Sequence, residues 1–230
     1  MIDLVVFDMA GTVIKDDDVV LDAFVRAATE TGLTTTREEI NARMGMGKLE
    51  VFDELAGRQS REGAERARLR DAGYAAFRRT LEDAYRQGGV AAMPGAHTAV
   101  QGLRRQGIRV ALNTGFYRAV TDILVDRAGF AGAVDAVVCV DDVPVGRPYP
   151  FMIFEAMART QTPSVARVAV VGDTPVDIEA GRNAGARLVV GVTSGAHTAR
   201  TLRHHGATHV VDGVHNVPEL VRRTSRHPHG

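Results

Sequence analysis

The chain has 230 residues, 45% of them hydrophobic, and its 28 basic and 28 acidic side chains give a formal net charge of zero. This length can bury a full core, and the balanced charge gives no general attraction to nucleic acid or to an anionic membrane, so we expect neither as a partner. The first apolar run is short and lacks a basic leader, so we expect no signal peptide. Cys139 is the single cysteine, which excludes an intramolecular disulfide and fits a reducing cytoplasm.

The first predicted element is a buried strand that ends at an acidic residue. Residues 4–7 are all apolar, Asp8 follows them directly, and Gly11 offers a turn. Open α/β folds bind ligands at the carboxyl ends of their strands, so Asp8 is a candidate nucleophile. A purely structural strand-end aspartate is the alternative for Asp8 taken alone.

The next segment, from about residue 19 to residue 88, has helical periodicity and no strand-like run. Turn-forming residues on both sides of it indicate hinge-like connections. We therefore predict a helical cap domain at residues 17–90, inserted into a core domain formed by residues 1–16 and 91–230.

Helical and strand patterns alternate from His97 onward, which predicts an α/β fold with a doubly wound parallel sheet. Strands are predicted at residues 109–113, 136–140, 168–171, 188–190 and 209–211, and helices are predicted to begin near His97, Arg118, Phe151 and Val176. The tail from Arg222 is rich in Arg and His and is predicted to be frayed.

Two more acidic residues follow the predicted strand at 168–171. Asp173 lies just after this strand, and Asp177 lies four residues later at the start of a helix. Because parallel strands end at the same edge of a sheet, we expect both carboxylates to converge near Asp8. Clustered carboxylates suit a hard dication such as Mg²⁺. For Asp177 alone, an acid that only stabilises the helix start is an equally good interpretation.

Polar residues also follow the predicted strands at 109–113 and 136–140. Thr114 follows the first of these strands and precedes a Gly turn, and Arg147 lies in a loop rich in Pro and Gly after the second. A fixed guanidinium favours planar contact with an oxyanion over proton transfer. We expect Asp142 to order that loop.

The four segments occur in an order that resembles the haloacid dehalogenase superfamily. Its first motif, Asp-x-Asp-x-Thr, is matched by Asp-x-Ala-Gly-Thr, and the chain continues with Asn-Thr-Gly-Phe, Asp-Asp-Val-Pro-x-Gly-Arg-Pro-Tyr-Pro and Gly-Asp-Thr-x-x-Asp. Within the superfamily they are most similar to phosphonoacetaldehyde hydrolases, or phosphonatases, and their relatives, over residues 1 to about 192. The resemblance implies a superfamily-type Rossmann-like core, an aspartyl-phosphate at Asp8, Mg²⁺ as the cofactor, a small phosphonate or phosphorylated substrate, and a homodimer.

The resemblance also implies roles for individual residues. Catalytic roles fall to Asp8, Lys48, Thr114 and Arg147. Substrate contacts fall to Gly11, Thr12, Met44, Gly45, Asn113, Gly115 and Phe116. Metal ligation falls to Asp8, Asp173, the backbone carbonyl of Ala10 and Asp177, the last directly or through water.

Ala10 departs from the superfamily motif, whose second aspartate protonates the leaving group. A general acid typically contributes about 10²- to 10⁴-fold to the rate, and Ala10 cannot supply one. The departure favours a good leaving group, an acid from elsewhere, or a carbon-phosphorus bond whose electrons another group accepts.

Lys48 offers such an electron acceptor. The segment Met-Gly-Met-Gly-Lys that ends at Lys48 resembles the phosphonatase cap motif, whose lysine forms a Schiff base with the substrate aldehyde. An iminium accepts the electrons of the breaking carbon-phosphorus bond as an enamine, so no alkoxide needs a proton. A lysine that only contacts the substrate phosphate is the alternative.

Three positions differ from the phosphonatase pattern in the part of the site that binds and activates the substrate aldehyde. Val51 replaces a His, Phe116 replaces a Tyr, and Asp18 replaces a Cys. We therefore predict a Mg²⁺-dependent, phosphonatase-like hydrolase with a shifted substrate. The alternatives are a phosphomonoesterase, similar to phosphoglycolate phosphatases, that uses water or Asp18 as its acid, and a non-catalytic binding or regulatory protein on the same fold.

Overall fold

The computed structural model describes residues 1–15, 18–43 and 47–226. The chain divides into two compact units: the sheet unit, Met1–Lys15 with Val90–Gly230, and the helical unit, Asp16–Gly89. Two residues assigned above to substrate contacts, Met44 and Gly45, lie outside the described residues. None of the helices in the described ranges combines the length and the apolar character that crossing a membrane requires.

A parallel sheet forms the centre of the sheet unit. Its described strands are β1 (Leu4–Asp8), β2 (Arg109–Thr114), β3 (Ala136–Cys139), β4 (Val168–Gly172), β5 (Leu188–Val192) and β6 (His209–Val211). Their order across the sheet is β3-β2-β1-β4-β5-β6, and all neighbours are parallel. The first four residues of β1 are fully buried, as expected for a central strand that is covered on both faces. The predicted α/β fold is confirmed, and the end of β1 lies between the ends of β2 and β4.

The described helices of the helical unit are α1 (Val19–Glu30), α2 (Arg37–Asn41), α3 (Lys48–Gln59) and α4 (Gly63–Gln87). Aromatic rings from three of them form the core of this unit: the centroid of Phe24 lies 4.3 Å from that of Phe77 and 5.1 Å from that of Phe52. A Cβ atom at Gly73 would lie 2.6 Å from Cδ1 of Phe52, so α4 needs a glycine there to approach α3 this closely.

The described helices of the sheet unit are α5 (Ala96–Arg105), α6 (Arg118–Arg127), α7 (Phe151–Arg159), α8 (Pro175–Ala184), α9 (Ala199–His204) and α10 (Val217–Arg226). Gly181 lets α8 lie close to the sheet, since a Cβ atom there would come within 3.1 Å of Val170 on β4 and of Val189 on β5. The second half of α8 therefore packs directly on β4 and β5.

The prediction of a frayed tail from Arg222 was wrong for the residues that α10 includes. This helix continues to Arg226. It is held by Val217 and Val221, which are both fully buried, and Glu219 forms ion pairs with Arg222 and Arg223 one turn later. Arg222 and Arg223 lie on the exposed side of this amphipathic helix.

Candidate active site

Asp8 ends the central strand of the sheet and is buried, with 4% of its surface exposed. Its Cα atom is paired in register with that of Asn113 on β2. Its Oδ1 atom accepts a hydrogen bond from Nη1 of Arg147 at 2.6 Å. The candidate nucleophile is thus held by a cation that lies 139 residues away in the sequence.

Arg147 connects two of the three acids. Its Nη1 atom also donates to Oδ1 of Asp177. The guanidinium packs closely on the turn after β2, where a Cβ atom at Gly115 would lie 3.2 Å from Nη2. Because burial removes water from around Arg147, its two carboxylate partners supply the hydrogen bonds that it would otherwise lack.

Asp173 and Asp177 join Asp8 at the ends of the strands. One oxygen from each of the three carboxylates lies within 4.8 Å of the other two. Asp177 reaches this position because Gly172 ends β4, where a Cβ atom would lie only 2.3 Å from Cβ of Asp177. The structure thus brings together three of the predicted metal ligands.

Asp177 also caps the helix that carries it. Its Oδ2 atom accepts hydrogen bonds from the backbone N–H of Thr174 at 3.0 Å and from the hydroxyl of Thr174 at 2.5 Å. Both interpretations made from the sequence therefore hold, because the Asp177 carboxylate stabilises the start of α8 and also lies in the acidic cluster.

The electrostatics of the cluster show an excess of negative charge. Burial, together with the charge of Asp177, raises the pKa of Asp8 well above its usual range. Burial and Asp177 likewise raise the pKa of Asp173, to about 6. Three carboxylates with one guanidinium fit a hard dication, which prefers oxygen ligands and would offset the remaining charge.

Both oxygens of Asp173 accept hydrogen bonds from the protein. The hydroxyl of Thr12 donates to Oδ1 at 3.2 Å, and the backbone N–H of Ala196 donates to Oδ2 at 3.0 Å. Sequence reasoning missed the loop that contains Ala196. A signal was available, because this loop follows β5 and must begin at the same edge of the sheet as the acidic cluster.

The end of β2 and the turn after it carry further residues that were assigned to catalysis and substrate binding. Asn113 and Thr114 are both buried, with 2% of their surface exposed. The hydroxyl oxygen of Thr114 accepts a hydrogen bond from the backbone N–H of Phe116 at 3.2 Å, which leaves its hydrogen available for another acceptor. The turn lies next to the end of β1, since β2 is its neighbour in the sheet.

Asp142 orders the segment after β3, as predicted. Its Oδ2 atom accepts a hydrogen bond from the backbone N–H of Cys139 at 2.8 Å, and the carboxylate pairs with Arg118 and Arg159. Burial alone would raise its pKa, but these hydrogen bonds outweigh burial and lower the pKa to about 2. Asp142 is thus a fixed anion at the base of the loop that leads to Arg147.

Within the helical unit, Lys48 is the first residue of α3 and is half-buried, with its Nζ atom 6.0 Å from the ring centroid of Phe24. Val51 is 1% exposed, so it belongs to the core of this unit. Asp18 is exposed and forms an ion pair with Arg37 at 2.9 Å.

Comparisons with known proteins identify the family of this chain. A family model described as haloacid dehalogenase-like hydrolase matches residues 2–185. A phosphonoacetaldehyde hydrolase-like protein from Syntrophobacter fumaroxidans is 32% identical over 191 residues, which cover 79% of this chain and 69% of that protein. A phosphonoacetaldehyde hydrolase from Bacillus cereus is 30% identical over 205 residues, which cover 85% of this chain and 77% of the relative.

A solved structure shows the same fold. The crystal structure of a phosphonoacetaldehyde hydrolase-like protein from Oleispira antarctica superposes with a TM-score of 0.84 at 23% identity, covering 98% of this chain and 93% of that chain. The family model spans well over half of the chain. The chain therefore belongs to the haloacid dehalogenase-like hydrolase family.

Proposed function

We propose that this hydrolase releases phosphate from a small phosphonate that carries a carbonyl group, through an aspartyl-phosphate at Asp8. The observation that carries the proposal is the buried Asp8 carboxylate, held at the end of the central strand by Arg147 beside two further acids. The similarity to relatives named phosphonoacetaldehyde hydrolase supports the choice of a phosphonate.

Asp8, Asp173 and the backbone carbonyl of Ala10 would hold Mg²⁺. Asp177 would act through water, because its carboxylate already accepts three hydrogen bonds, one from Arg147 and two from Thr174. When bound, the cation would polarise the phosphoryl oxygens and shield them from the charge of Asp8. The raised pKa values of Asp8 and Asp173 support this assignment, because two buried acids that resist ionisation gain most from a nearby dication.

The chain's own residues would carry out the transfer. Asp8 attacks phosphorus, while the guanidinium of Arg147 neutralises charge on the phosphoryl oxygens without giving up a proton. The free hydrogen of the Thr114 hydroxyl donates to one of those oxygens, and residues 113–116 line the substrate from the end of β2. Gly11 would contact the substrate from the turn after β1, whereas the fully buried Thr12 donates its hydroxyl to the predicted metal ligand Asp173.

We assign the role of electron acceptor to Lys48. Its amine condenses with the substrate carbonyl and releases water. When phosphorus passes to Asp8, the electron pair of the carbon-phosphorus bond moves into the iminium and forms an enamine, which is then protonated on carbon and hydrolysed. Water finally hydrolyses the aspartyl-phosphate. Because no alkoxide leaves, the reaction needs no general acid at position 10, where this chain has Ala10.

A second candidate is hydrolysis of a phosphate ester with a good leaving group. The burial of Val51 in the core of the helical unit favours it, because an acid-base group is missing where the phosphonatase pattern has one. Asp18 is a poor substitute, since its carboxylate is already paired with Arg37.

Phosphate release from a panel of carbonyl phosphonates and phosphate esters, with Mg²⁺ and with chelator, tests the proposal. We expect release from a carbonyl phosphonate that depends on Mg²⁺. Release from esters alone would select the second candidate, and release from no compound would favour a non-catalytic protein.

The chain contains two lysines, Lys15 and Lys48, which makes trapping of the imine unusually specific. Borohydride reduction in the presence of a carbonyl phosphonate should add one substrate-derived mass at Lys48. The Lys15→Arg variant is the matched control and should still be labelled, whereas Lys48→Arg should not be. An unmodified Lys48 during confirmed turnover would exclude the imine route.

We also propose that the protein is a cytoplasmic homodimer. The resemblance to phosphonatases supports the dimer, and the single cysteine, Cys139, fits a reducing compartment. Sedimentation equilibrium measures the mass in solution, and a value near 24.7 kDa at micromolar concentration would contradict the dimer.

A further inference from the structure

The loop between β5 and α9, residues 193–198, reaches back to the acidic cluster. Its Ser194 hydroxyl donates to the backbone carbonyl of Gly11 at 3.1 Å. Two residues later, the backbone N–H of Ala196 donates to Oδ2 of Asp173 at 3.0 Å. The loop thus joins the turn after β1 to the carboxylate that follows β4.

Gly195 lies between these two contacts, and its lack of a side chain matters. A Cβ atom there would lie 2.0 Å from Oδ2 and 2.4 Å from Cγ of Asp173. Real Cβ atoms do not approach other atoms this closely, so any larger residue forces either the loop or the carboxylate to move.

Thr12 holds the other oxygen of the same carboxylate. Its side chain is fully buried, and its hydroxyl donates to Oδ1 of Asp173 at 3.2 Å across 161 residues of sequence. A carboxylate has about four lone-pair sites, so one hydrogen bond to each oxygen fixes its rotation and still leaves sites for a cation.

We propose that Thr12, Ser194 and Gly195 are positioning residues of the metal centre, which fix the rotation of the Asp173 carboxylate so that it binds a dication without rearrangement. This inference rests on the metal centre of the proposed function. Hydrogen-bonding partners of metal ligands typically change metal affinity by about 10- to 100-fold when they are removed. None of the three residues needs to contact the cation.

Calorimetric titration with Mg²⁺ alone tests the inference. Thr12→Val should weaken Mg²⁺ binding by about 10- to 100-fold, because it removes a hydrogen bond to the Asp173 carboxylate. Ser194→Ala and Gly195→Ala act through the loop and should weaken binding by more than about twofold. The melting temperatures of all three variants in chelator should stay near that of the unmodified protein. Ser194→Thr retains the hydroxyl and should restore most of the affinity. This pattern separates positioning from general loss of structure.

Two matched control variants are available in the same unit. Thr121 is a fully buried threonine whose hydroxyl donates only to the backbone carbonyl of Tyr117, and Gly102 has ordinary space for a Cβ atom. Thr121→Val and Gly102→Ala should keep the affinity of the unmodified protein for Mg²⁺.

The outcomes distinguish failure of this inference from failure of the proposed function. If the unmodified protein binds Mg²⁺, Asp173→Asn abolishes binding, and Thr12→Val and Ser194→Ala bind within twofold of the unmodified protein, the positioning role is refuted and the metal centre stands. If the unmodified protein does not bind Mg²⁺, or Asp173→Asn binds equally well, the metal centre of the proposed function is refuted too. Should Gly195→Ala fail to fold, the other two variants decide the question.

Discussion

The guanidinium of Arg147 lies between the carboxylates of Asp8 and Asp177 and provides positive charge without acid-base chemistry. Burial would favour loss of its charge, but the two acids raise the pKa of Arg147 far above its ordinary value. It therefore stays charged throughout any working pH range. Proton transfer in this site must come from another group.

The Asp8→Asn substitution should remove the nucleophile while leaving a side chain of the same shape. We expect phosphate release to fall by at least about 10³-fold, because an amide cannot form the aspartyl-phosphate. A single-turnover assay with acid-quenched protein should show phosphoprotein for the unmodified chain and none for the variant. Turnover of the variant at the unmodified rate would overturn the assignment of Asp8.

Single elements of this chain are held by contacts that local sequence does not reveal. In the helical unit, α3 and α4 approach closely because Gly73 faces Phe52, and in the sheet unit a short turn after β3 is fixed by Asp142. Substituting Gly73 or Asp142 should therefore lower the free energy of unfolding by more than its change in local conformational propensity predicts.

Gly73→Ala should destabilise the helical unit although alanine is the better helix former. The helix propensity gain is at most about 1 kcal/mol, whereas a clash in a packed core costs about 1–3 kcal/mol. Gly63, the first residue of α4, has no atom within 4 Å of an added Cβ, so Gly63→Ala is the matched control. Urea denaturation followed by circular dichroism should show a lower midpoint for the first variant only.

Asp142→Asn should destabilise the turn after β3, which precedes Arg147. The amide cannot maintain the ion pairs with Arg118 and Arg159, and we expect a loss of roughly 1–3 kcal/mol in the free energy of unfolding. Since folding lowers the pKa of Asp142 from 3.8 to about 2, its contribution is complete above pH 4 and disappears as the pH falls through 2. The difference between the variant and the unmodified protein should therefore shrink in acid, and an equal difference at pH 7 and pH 2 would contradict the assignment.

For the whole molecule, the acidic cluster couples stability to pH and to the dication. Folding raises the pKa of Asp173 from 3.8 to about 6, so its contribution to stability is complete below pH 3.8 and is lost as the pH rises through 6. The raised pKa of Asp8 acts in the same direction.

We therefore expect Mg²⁺ to raise the melting temperature more at pH 7.5 than at pH 5, because protons compete with the cation for Asp173. At 100 times its dissociation constant, a ligand stabilises the folded protein by about 2.7 kcal/mol. Differential scanning fluorimetry with Mg²⁺ and with chelator measures the shift. A shift that is equal at the two pH values, or one that persists in Asp173→Asn, would contradict this coupling.

The amino-acid pattern alone was enough to predict the strands and the acids that follow them. In this α/β pattern, continuous apolar runs such as residues 4–7 predict buried strands. Because parallel strands end at one edge of the sheet, Asp8 and Asp173 were expected to meet there, with Asp177 four residues further along the chain. The order of the motifs was enough to identify the family.

The tertiary structure alone decided how these groups are held. The contact of Thr12 with Asp173 and that of Ser194 with Gly11 join residues 161 and 183 positions apart. No local pattern encodes such pairs, because they depend on which strands are neighbours in the sheet and on how closely glycine lets two backbones approach. Residues 222–226 showed the same limit, since the burial of Val217 and Val221 earlier in α10 keeps them helical despite their polar composition.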